Sequence, residues 1–114
     1  MSENALEGEE KRIALRKVLR TPARIGFGQQ VLQVRTMDIS SGGMCFISPD
    51  SFPAKAPIDI VCNLPQPNGK QAGFHAKGHI AYCVLSNRDD GFRVGVSFDA
   101  LSPAAMVAIN QFLR

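Results

Sequence analysis

The sequence contains no tryptophan and only one tyrosine, Tyr82, among its 114 residues. Proteins that hold single-stranded nucleic acid stack successive bases on aromatic side chains, and tryptophan and tyrosine supply almost none here. No stretch approaches the roughly 20 consecutive apolar residues of a membrane-spanning helix. We therefore expect no membrane span, and the composition argues against a platform for single-stranded nucleic acid.

Cysteine occurs three times, at Cys45, Cys62 and Cys83, an odd number at wide spacing. Each lies in an apolar stretch, which is typical of buried thiols that act as small hydrophobic groups. A disulfide framework is therefore not expected, and a reducing compartment fits this usage. The N-terminus is acidic and has no apolar core of the kind found in signal peptides, so we predict a cytoplasmic protein.

Recognisable catalytic and metal-binding patterns are missing as well. The sequence has no G-x-S-x-G elbow, no phosphate-binding Walker loop and no catalytic cysteine–histidine arrangement. His75 and His79 would share one face of a strand, but four residues of strand separate them by about 13 Å, which is too far to chelate one ion. We expect no enzyme, no metal site and no cofactor.

Charge is distributed unevenly along the chain, although the net charge is only +3. Residues 1–10 carry four glutamates and no base, and we predict a disordered acidic tail there. Residues 11–24 carry six of the thirteen bases and no acid. Because the positive charge is local, it suits a small anionic ligand better than a long nucleic-acid track. Residues 11–114 are long enough to form one domain with its own core.

The rest of the chain is dominated by β-strand patterns separated by turn residues. Asn68-Gly69 is typical of a hairpin turn, and Gly78 is the expected position of a bulge or bend in one long strand. Six strands without intervening helices predict an all-β domain in which an antiparallel sheet closes into a six-stranded barrel. The predicted strands are 23–27, 30–39, 42–48, 57–64, 72–86 and 92–101.

Different patterns precede and follow these strands. Residues 11–20 are predicted to form a flexible N-terminal arm, either a short amphipathic helix or an extended segment, that ends at Thr21-Pro22. After the last strand, Ser102 is a candidate N-cap and Pro103 suits the first helical position. A C-terminal helix of about three turns should cover the barrel with its apolar face. That face is predicted to contain Met106, Ile109 and Leu113, with Val107 and Phe112 beside them.

The stretch DISSGG, which begins at Asp38, lies between two predicted strands. A tight β-turn is the simplest interpretation, because Gly42-Gly43 tolerate positive φ and the hydroxyls of Ser40 and Ser41 can bond the local backbone. The same groups have a second use. A carboxylate accepts well from the N1–H and N2–H₂ groups of guanine, while serine hydroxyls and glycine amides can donate to phosphate.

The stretch KRIALR contains two arginines four residues apart, Arg12 and Arg16. They would share one face of a helix, although a solvated run of charge is the usual explanation of such a pair. A guanidinium group differs from an ammonium group because its planar fork binds phosphate through two hydrogen bonds and stacks on a base. Together, an arginine pair and the DISSGG groups provide what a guanine nucleotide requires.

This combination resembles the PilZ domain family, whose members are bacterial receptors for the second messenger cyclic dimeric GMP (c-di-GMP). The family carries an R-x-x-x-R pair ahead of a β-barrel and a D/N-x-S-x-x-G motif after the first strands. The matching residues are Lys11, Arg12 and Arg16 in KRIALR and Asp38, Ser40 and Gly43 in DISSGG. The six strands and the closing helix extend the resemblance over roughly residues 10–114.

A second pair, Arg16 and Arg20, also fits R-x-x-x-R. The resemblance favours Arg12 and Arg16, because family members commonly have a proline six residues after the second arginine, and Pro22 stands at that distance from Arg16. Lys11 then occupies the preceding basic position, where many members have arginine; an ammonium group keeps the charge but neither forks nor stacks. Supporting roles are assigned to Lys11, Arg20, Ser41 and Gly42.

The resemblance implies a c-di-GMP receptor rather than an enzyme. Arg12 and Arg16 would contact the phosphates and guanines. Asp38 and Ser40 would hold a guanine edge, and Gly43 would let the turn approach the ligand. Binding would order the arm over the barrel rim and create a surface for a downstream protein effector in motility, biofilm or exopolysaccharide control. Such a receptor is expected to be a monomer or weak dimer.

Two alternative functions belong to other classes of protein. A nucleic-acid-binding module would use the basic arm, would bind long DNA or RNA with a steep salt dependence, and would be indifferent to changes at Asp38. A PilZ-like interaction domain would keep the barrel without binding the ligand, although the intact motifs argue against it.

Overall fold

The computed structural model describes residues 15–114. Lys11, Arg12 and the predicted acidic tail therefore lie outside the described residues. In this part of the chain seven strands precede one helix. The strands are β1 (Lys17–Val18), β2 (Pro22–Phe27), β3 (Gln30–Ile39), β4 (Gly43–Ser48), β5 (Pro57–Pro65), β6 (Gln71–Ser86) and β7 (Gly91–Phe98), and the helix is α1 (Pro103–Leu113).

Six of these strands close into an antiparallel barrel, as predicted. Neighbouring strands pair in the order β3–β2–β5–β6–β7–β4, and β4 pairs again with β3 to close the ring. All of these pairings are antiparallel. Because closure joins the two ends of the sheet, each barrel strand has a hydrogen-bonded neighbour on both sides.

The barrel interior is filled by alternate residues of the strands. In β5 every second side chain is buried and the residues between them are partly or fully exposed. In β7, Val94 and Val96 are buried, and Phe92 and Phe98 pack partly against the same core, which confirms the predicted face. This strand ends at Phe98 rather than at residue 101, because residues 99–101 lead into the N-cap of α1.

Glycines lie where the turns require positive φ. Gly28, between β2 and β3, has φ of 60°. Gly69, in the β5–β6 hairpin, has φ of 84°, and its N–H donates to the carbonyl of Gln66 at 2.9 Å. A side chain at these positions would be strained, so the glycines fix where the chain reverses. The predicted Asn-Gly hairpin is confirmed.

The irregularity predicted at Gly78 lies elsewhere in β6. The register between β6 and β7 shifts between Ile80 and Tyr82, so Ala81 is the extra residue. Gly78 instead lies where β7 comes close, because a Cβ there would be 2.5 Å from the carbonyl oxygen of Ser97. Both a bulge and a close backbone approach select glycine, and the sequence pattern does not distinguish them.

Helix α1 begins as predicted and buries part of the predicted face. The Ser102 hydroxyl accepts from the backbone N–H three residues later at 3.1 Å, and Pro103 occupies the first turn. Ile109 and Phe112 are buried and Leu113 packs partly against the core, as predicted, whereas Met106 and Val107 are exposed. Ala105 and Ala108 are buried as well, so the packed face is shifted toward these small side chains. The buried residues are Ala105, Ala108, Ile109 and Phe112.

The described end of the N-terminal arm is extended and attached to the barrel. β1 pairs with β3, with Lys17 opposite Ile39 and Val18 opposite Asp38. Leu19, which follows, is buried, and its N–H donates to the carbonyl of Met37 at 3.0 Å. The extended alternative is therefore the one found at residues 17–18. β1 and β2 pair with different parts of β3: β1 pairs with residues 38–39, and β2 pairs with residues 30–35.

Two side-chain contacts strengthen this attachment. The Lys17 ammonium donates to the carbonyl of Phe112 at 2.9 Å and lies 4.8 Å from the centroid of its ring. A cation is favourable there because the last carbonyls of a helix carry partial negative charge. The buried Thr36 hydroxyl donates to the carbonyl of Leu19 and accepts from the N–H of Thr21 at 2.9 Å. Barrel, arm and helix are thus joined at one place.

The cysteines are free thiols, two of them buried. Cys45 and Cys62 are buried and Cys83 is partly buried, in agreement with their predicted packing role. Burial raises the pKa of the Cys62 thiol to about 11. Within residues 15–114, no helix combines the length and the apolarity needed to cross a membrane.

Candidate functional site

Arg16 and Asp38, one from each predicted motif, form an ion pair. Their closest atoms, Nη1 of Arg16 and Oδ1 of Asp38, are 3.1 Å apart. The pairing of β1 with β3 explains the contact, because it places Val18 directly opposite Asp38 and leaves Arg16 two residues away at the same end. Groups that are 22 residues apart in the chain thereby converge on one surface.

A bulge in β3 directs Asp38 to the outside of the barrel. Thr36 pairs with Phe46, whereas Asp38 pairs with Cys45, so Met37 is an extra residue in β3. Strict alternation from the buried Thr36 would turn Asp38 inward. With one residue inserted, Asp38 faces outward and Ile39 returns to the core, fully buried. Bulges commonly re-aim a side chain in this way.

The DISSGG turn is held by its own groups. The N–H of Ser40 donates to the carbonyl of Gly43 at 2.9 Å, and the Ser40 hydroxyl accepts from the N–H of Gly42 at 3.2 Å. Ser40 is only 5% exposed, while Ser41 and Gly42 are exposed. The Ser40 hydroxyl therefore shapes the turn, and its own proton is the group it could still offer to an acceptor.

Gly43 has a structural reason to be glycine. It is buried, and a Cβ at this position would lie 2.1 Å from the carbonyl oxygen of Val96 in β7. The adjacent Gly42 has open space where its Cβ would be, and its carbonyl accepts from the N–H of Phe98 at 2.9 Å. The close approach that Gly43 permits is thus to β7 of the same chain.

The other bases of the arm are placed differently. Lys17 is bound to the end of α1, as described above. Arg20 is exposed and lines a small groove of about 190 Å³ together with Arg35 and Thr36. Arg16, which both candidate arginine pairs share, is the described base of the arm that contacts Asp38.

Two residues that the sequence analysis did not assign to the site lie beside it. Cys45 is opposite Asp38 in the β3–β4 pairing, and the Tyr82 hydroxyl donates to its sulfur at 3.8 Å. Burial raises the pKa of Cys45, and the Asp38 charge acts in the same direction, while the Tyr82 hydrogen bond and Arg16 oppose it. Tyr82 is the only tyrosine in the chain. Its orientation depends on the bulge at Ala81, and no turn residue in the sequence marks that bulge, so the sequence could not place Tyr82 near Asp38.

The histidines are exposed and each faces a carboxylate. His75 lies 3.3 Å from Asp59, and His79 lies 2.9 Å from Asp99. Over the part of the chain that is described, no group of three or more His, Cys, Asp or Glu side chains has a metal-binding arrangement. The surface around Arg16 and Asp38 offers a carboxylate acceptor beside a guanidinium donor.

The sequence model of the PilZ domain matches residues 10–114, and the chain therefore belongs to the PilZ domain family. No curated protein sequence matches the chain. The solved structures that it resembles include three with this barrel, all at low sequence identity, so the likeness to them concerns the fold.

The first is the Bacillus subtilis inhibitor of motility MotI/DgrA, with a TM-score of 0.74 and 12% identity, covering 87% of this chain and 48% of that one. The second is the Borreliella burgdorferi PlzA protein in complex with c-di-GMP, with a TM-score of 0.70 and 15% identity, covering 98% and 45%. The third is the PilZ domain of Escherichia coli YcgR with c-di-GMP, with a TM-score of 0.68 and 17% identity, covering 90% and 88%. The chain thus spans less than half the length of the first two proteins.

Proposed function

We propose that this protein is a receptor for c-di-GMP that signals by binding and carries out no catalysis. The observation that carries the proposal is the 3.1 Å contact between Arg16 and Asp38, which joins one arginine of the motif to the DISSGG stretch on a PilZ barrel. The PlzA and YcgR structures that share this fold contain c-di-GMP, which supports the choice of ligand.

The proposed roles follow from the chemistry of each group. The Asp38 carboxylate accepts from the N1–H and N2–H₂ of a guanine, and Arg12 and Arg16 bind the phosphates and stack on the bases. Ser40 maintains the turn and offers its hydroxyl proton, and Gly43 keeps the turn close to β7 so that its backbone lies at the rim. Lys11, Arg20, Ser41 and Gly42 contribute charge or backbone donors around this centre.

Ligand binding would exchange the internal ion pair for stronger contacts. The Arg16 and Asp38 side chains are 51% and 33% exposed, and an exposed pair of this kind contributes about 0–1 kcal/mol. Hydrogen bonds from charged groups to a ligand contribute about 1.5–3 kcal/mol each. The ion pair is therefore a weak resting arrangement that c-di-GMP can displace.

The arm closes from a fixed point in this mechanism. Since β1 is already paired with β3 and Leu19 is buried, residues 17–20 need no ordering by the ligand. Each residue that is already ordered spares about 1–2 kcal/mol of backbone entropy. The surface that the bound arm forms with the ligand would be recognised by a protein effector. The similarity to an inhibitor of motility favours a motility process.

The nucleic-acid alternative is less well supported. A track for DNA or RNA needs bases that are free to meet successive phosphates. In the described residues, however, Arg16 is paired with Asp38 and Lys17 is bound to Phe112. This alternative predicts binding that weakens steeply with salt and that survives replacement of Asp38.

Isothermal titration of the wild-type protein with c-di-GMP, GTP and the linear dinucleotide pGpG tests the proposal. We expect saturable binding of c-di-GMP and much weaker heats with both controls, because neither presents two guanines on a closed ring. Absence of c-di-GMP binding, or equal affinity for GTP, would contradict the proposal. Duplex DNA, titrated at two salt concentrations, tests the alternative.

A further inference from the structure

Tyr82 lies in the same cross-strand row as Asp38. Asp38 is opposite Cys45, Cys45 is opposite Gly95, and Gly95 is opposite Tyr82. The row crosses β3, β4, β7 and β6 in turn. Adjacent strands are about 4.8 Å apart, so the backbone of Tyr82 starts about 14 Å from that of Asp38 and its side chain must extend along the row to come near.

Two bulges place both ends of this row on the outer surface. Met37 is the extra residue before Asp38, and Ala81 is the extra residue before Tyr82. Ile80, on the other side of the second bulge, is buried at 1% exposure, and strict alternation from it would turn Tyr82 into the barrel. Both bulges are needed for Asp38 and Tyr82 to share one face.

Gly95 provides the space through which the Tyr82 ring reaches the site. A Cβ on Gly95 would be 2.1 Å from Cε2 of the ring and 2.5 Å from Cζ, so the ring lies directly over this glycine. Beyond it, the Tyr82 hydroxyl is 3.8 Å from the sulfur of Cys45, the neighbour of Asp38. The ring thus spans from β6 across β7 to β4.

Tyr82 is both accessible and close to the charges of the site. It is 45% exposed although its hydroxyl is engaged. Burial raises the pKa of Tyr82, with the Cys45 contact and the Asp38 charge acting in the same direction and the Arg16 charge opposing them. An exposed aromatic ring beside a carboxylate and a guanidinium group offers a base one apolar surface and two polar partners.

From this geometry we infer that Tyr82 is a base-contacting residue of the ligand site, against whose ring a guanine packs while Asp38 holds the edge of that base. The inference rests on the proposed function and extends the site beyond the two sequence motifs onto β6. The hydroxyl is used within the protein, so the ring rather than the phenolic oxygen makes the contact. Gly95 acts as a positioning residue, since it keeps the ring in place.

The expected effects follow from base–aromatic stacking. Tyr82→Leu should weaken c-di-GMP binding roughly tenfold, and Tyr82→Phe, which keeps the ring, should bind within about threefold of wild type. Gly95→Ala should displace the ring and weaken binding, but should change little when added to Tyr82→Leu, because both act through the same contact.

The fluorescence of the wild-type protein gives a readout that needs no variant. Tyr82 is the only tyrosine and the chain has no tryptophan, so tyrosine emission reports on this one position. We expect c-di-GMP to quench it with the same midpoint as the calorimetric titration, after correction for absorbance with Tyr82→Phe mixed with free tyrosine.

The outcomes separate the two proposals. If calorimetry detects no c-di-GMP binding to the wild type, the proposed function fails and this inference fails with it. If c-di-GMP binds but tyrosine emission does not change and Tyr82→Leu binds like wild type, the receptor function stands and the role of Tyr82 is wrong. Quenching together with a loss in Tyr82→Leu that Tyr82→Phe does not share supports the inference.

Discussion

The guanidinium group of Arg16 lies 3.1 Å from the carboxylate of Asp38, across the short pairing of β1 with β3. This contact joins a residue of the basic arm to a residue near the end of β3, just before the turn that leads to β4. It depends on two backbone features, the β1 pairing that fixes the arm and the Met37 bulge that turns Asp38 outward. The Arg16–Asp38 contact therefore depends on how the arm is attached to β3, and this attachment can be tested.

Replacement of Thr36 should loosen the arm. The hydroxyl of this buried residue contacts the carbonyl of Leu19 and the N–H of Thr21, and Thr36→Val leaves both groups without their partner at nearly constant volume. A loss of about 1–3 kcal/mol is expected for such buried groups, measured as the free energy of unfolding in urea. Thr36→Ser keeps the hydroxyl and serves as the control.

Hydrogen exchange locates the effect of the same change. The Leu19 N–H, bonded to the Met37 carbonyl, should exchange faster in Thr36→Val relative to amides of β5, whereas in Thr36→Ser it should not. Equal protection of Leu19 in wild type and Thr36→Val would show that the hydroxyl does not hold the arm.

The two glycines of DISSGG should respond differently to a methyl group. Gly43→Ala places a Cβ 2.1 Å from the Val96 carbonyl oxygen, whereas at Gly42 the corresponding space is open. Because β7 would have to shift, Gly43→Ala should cost about 1–3 kcal/mol of stability, and Gly42→Ala should cost less than about 1 kcal/mol. Thermal unfolding of both variants measures this. Equal stability would contradict the close approach of β7.

The β6–β7 hairpin should contribute an acid-sensitive part of the stability. Hydrogen bonds from Ser86 and then from Arg93 lower the pKa of Asp89. A carboxylate whose pKa is lowered by folding stabilises the folded state at pH values above the pKa that it has in the unfolded chain, near 3.9. This stabilisation is lost as the pH falls through the pKa of the folded state.

Asp89→Asn should therefore lower the melting temperature at neutral pH. Below about pH 4 the difference in melting temperature between this variant and the wild type should become smaller. Asp90→Asn, at an exposed neighbouring position, is the matched control. A difference between Asp89→Asn and wild type that stays constant from pH 7 to pH 2.5 would rule out this linkage.

Cys62 should be unreactive in the folded protein. Since burial raises its pKa to about 11, only about one thiol in a thousand is ionised at pH 8, and the thiolate is the reactive form. Alkylation by iodoacetamide at pH 8, followed by mass spectrometry of the peptides, should label Cys62 only after denaturation. Rapid labelling in the native state would show that β5 opens or that the thiol is accessible.

Much of the fold could be predicted because most of the barrel strands show alternation or an apolar run and have turn residues at their ends. Gly28 and Gly69 mark hairpins whose positive φ only glycine adopts readily, and Ser102-Pro103 marks the start of the helix. The helix face was predicted in part, since Ile109 and Phe112 are buried, but Met106 and Val107 are exposed and Ala105 and Ala108 are buried instead. A helix that lies close to a sheet can bury small side chains in preference to larger apolar ones.

The candidate site could be predicted only in part. The residue types at Arg16 and Asp38 indicate phosphate and guanine chemistry, so their assignment to one site came from chemistry and resemblance. The bulges at Met37 and Ala81 carry no turn residue, and β1 is only two residues long. Local patterns therefore could not show that Asp38 and Tyr82 share a face or that Gly43 is required by β7.

Calorimetric titration of Arg16→Ala and Asp38→Ala with c-di-GMP tests most directly whether these two side chains serve one ligand. Because the pair is exposed, both variants should keep the wild-type fold and lose at most about 1 kcal/mol of stability, which circular dichroism can verify. Both variants should lose detectable binding, while Arg24→Ala, which removes an exposed arginine elsewhere on the barrel, should retain it. Wild-type affinity in both Arg16→Ala and Asp38→Ala would contradict this prediction.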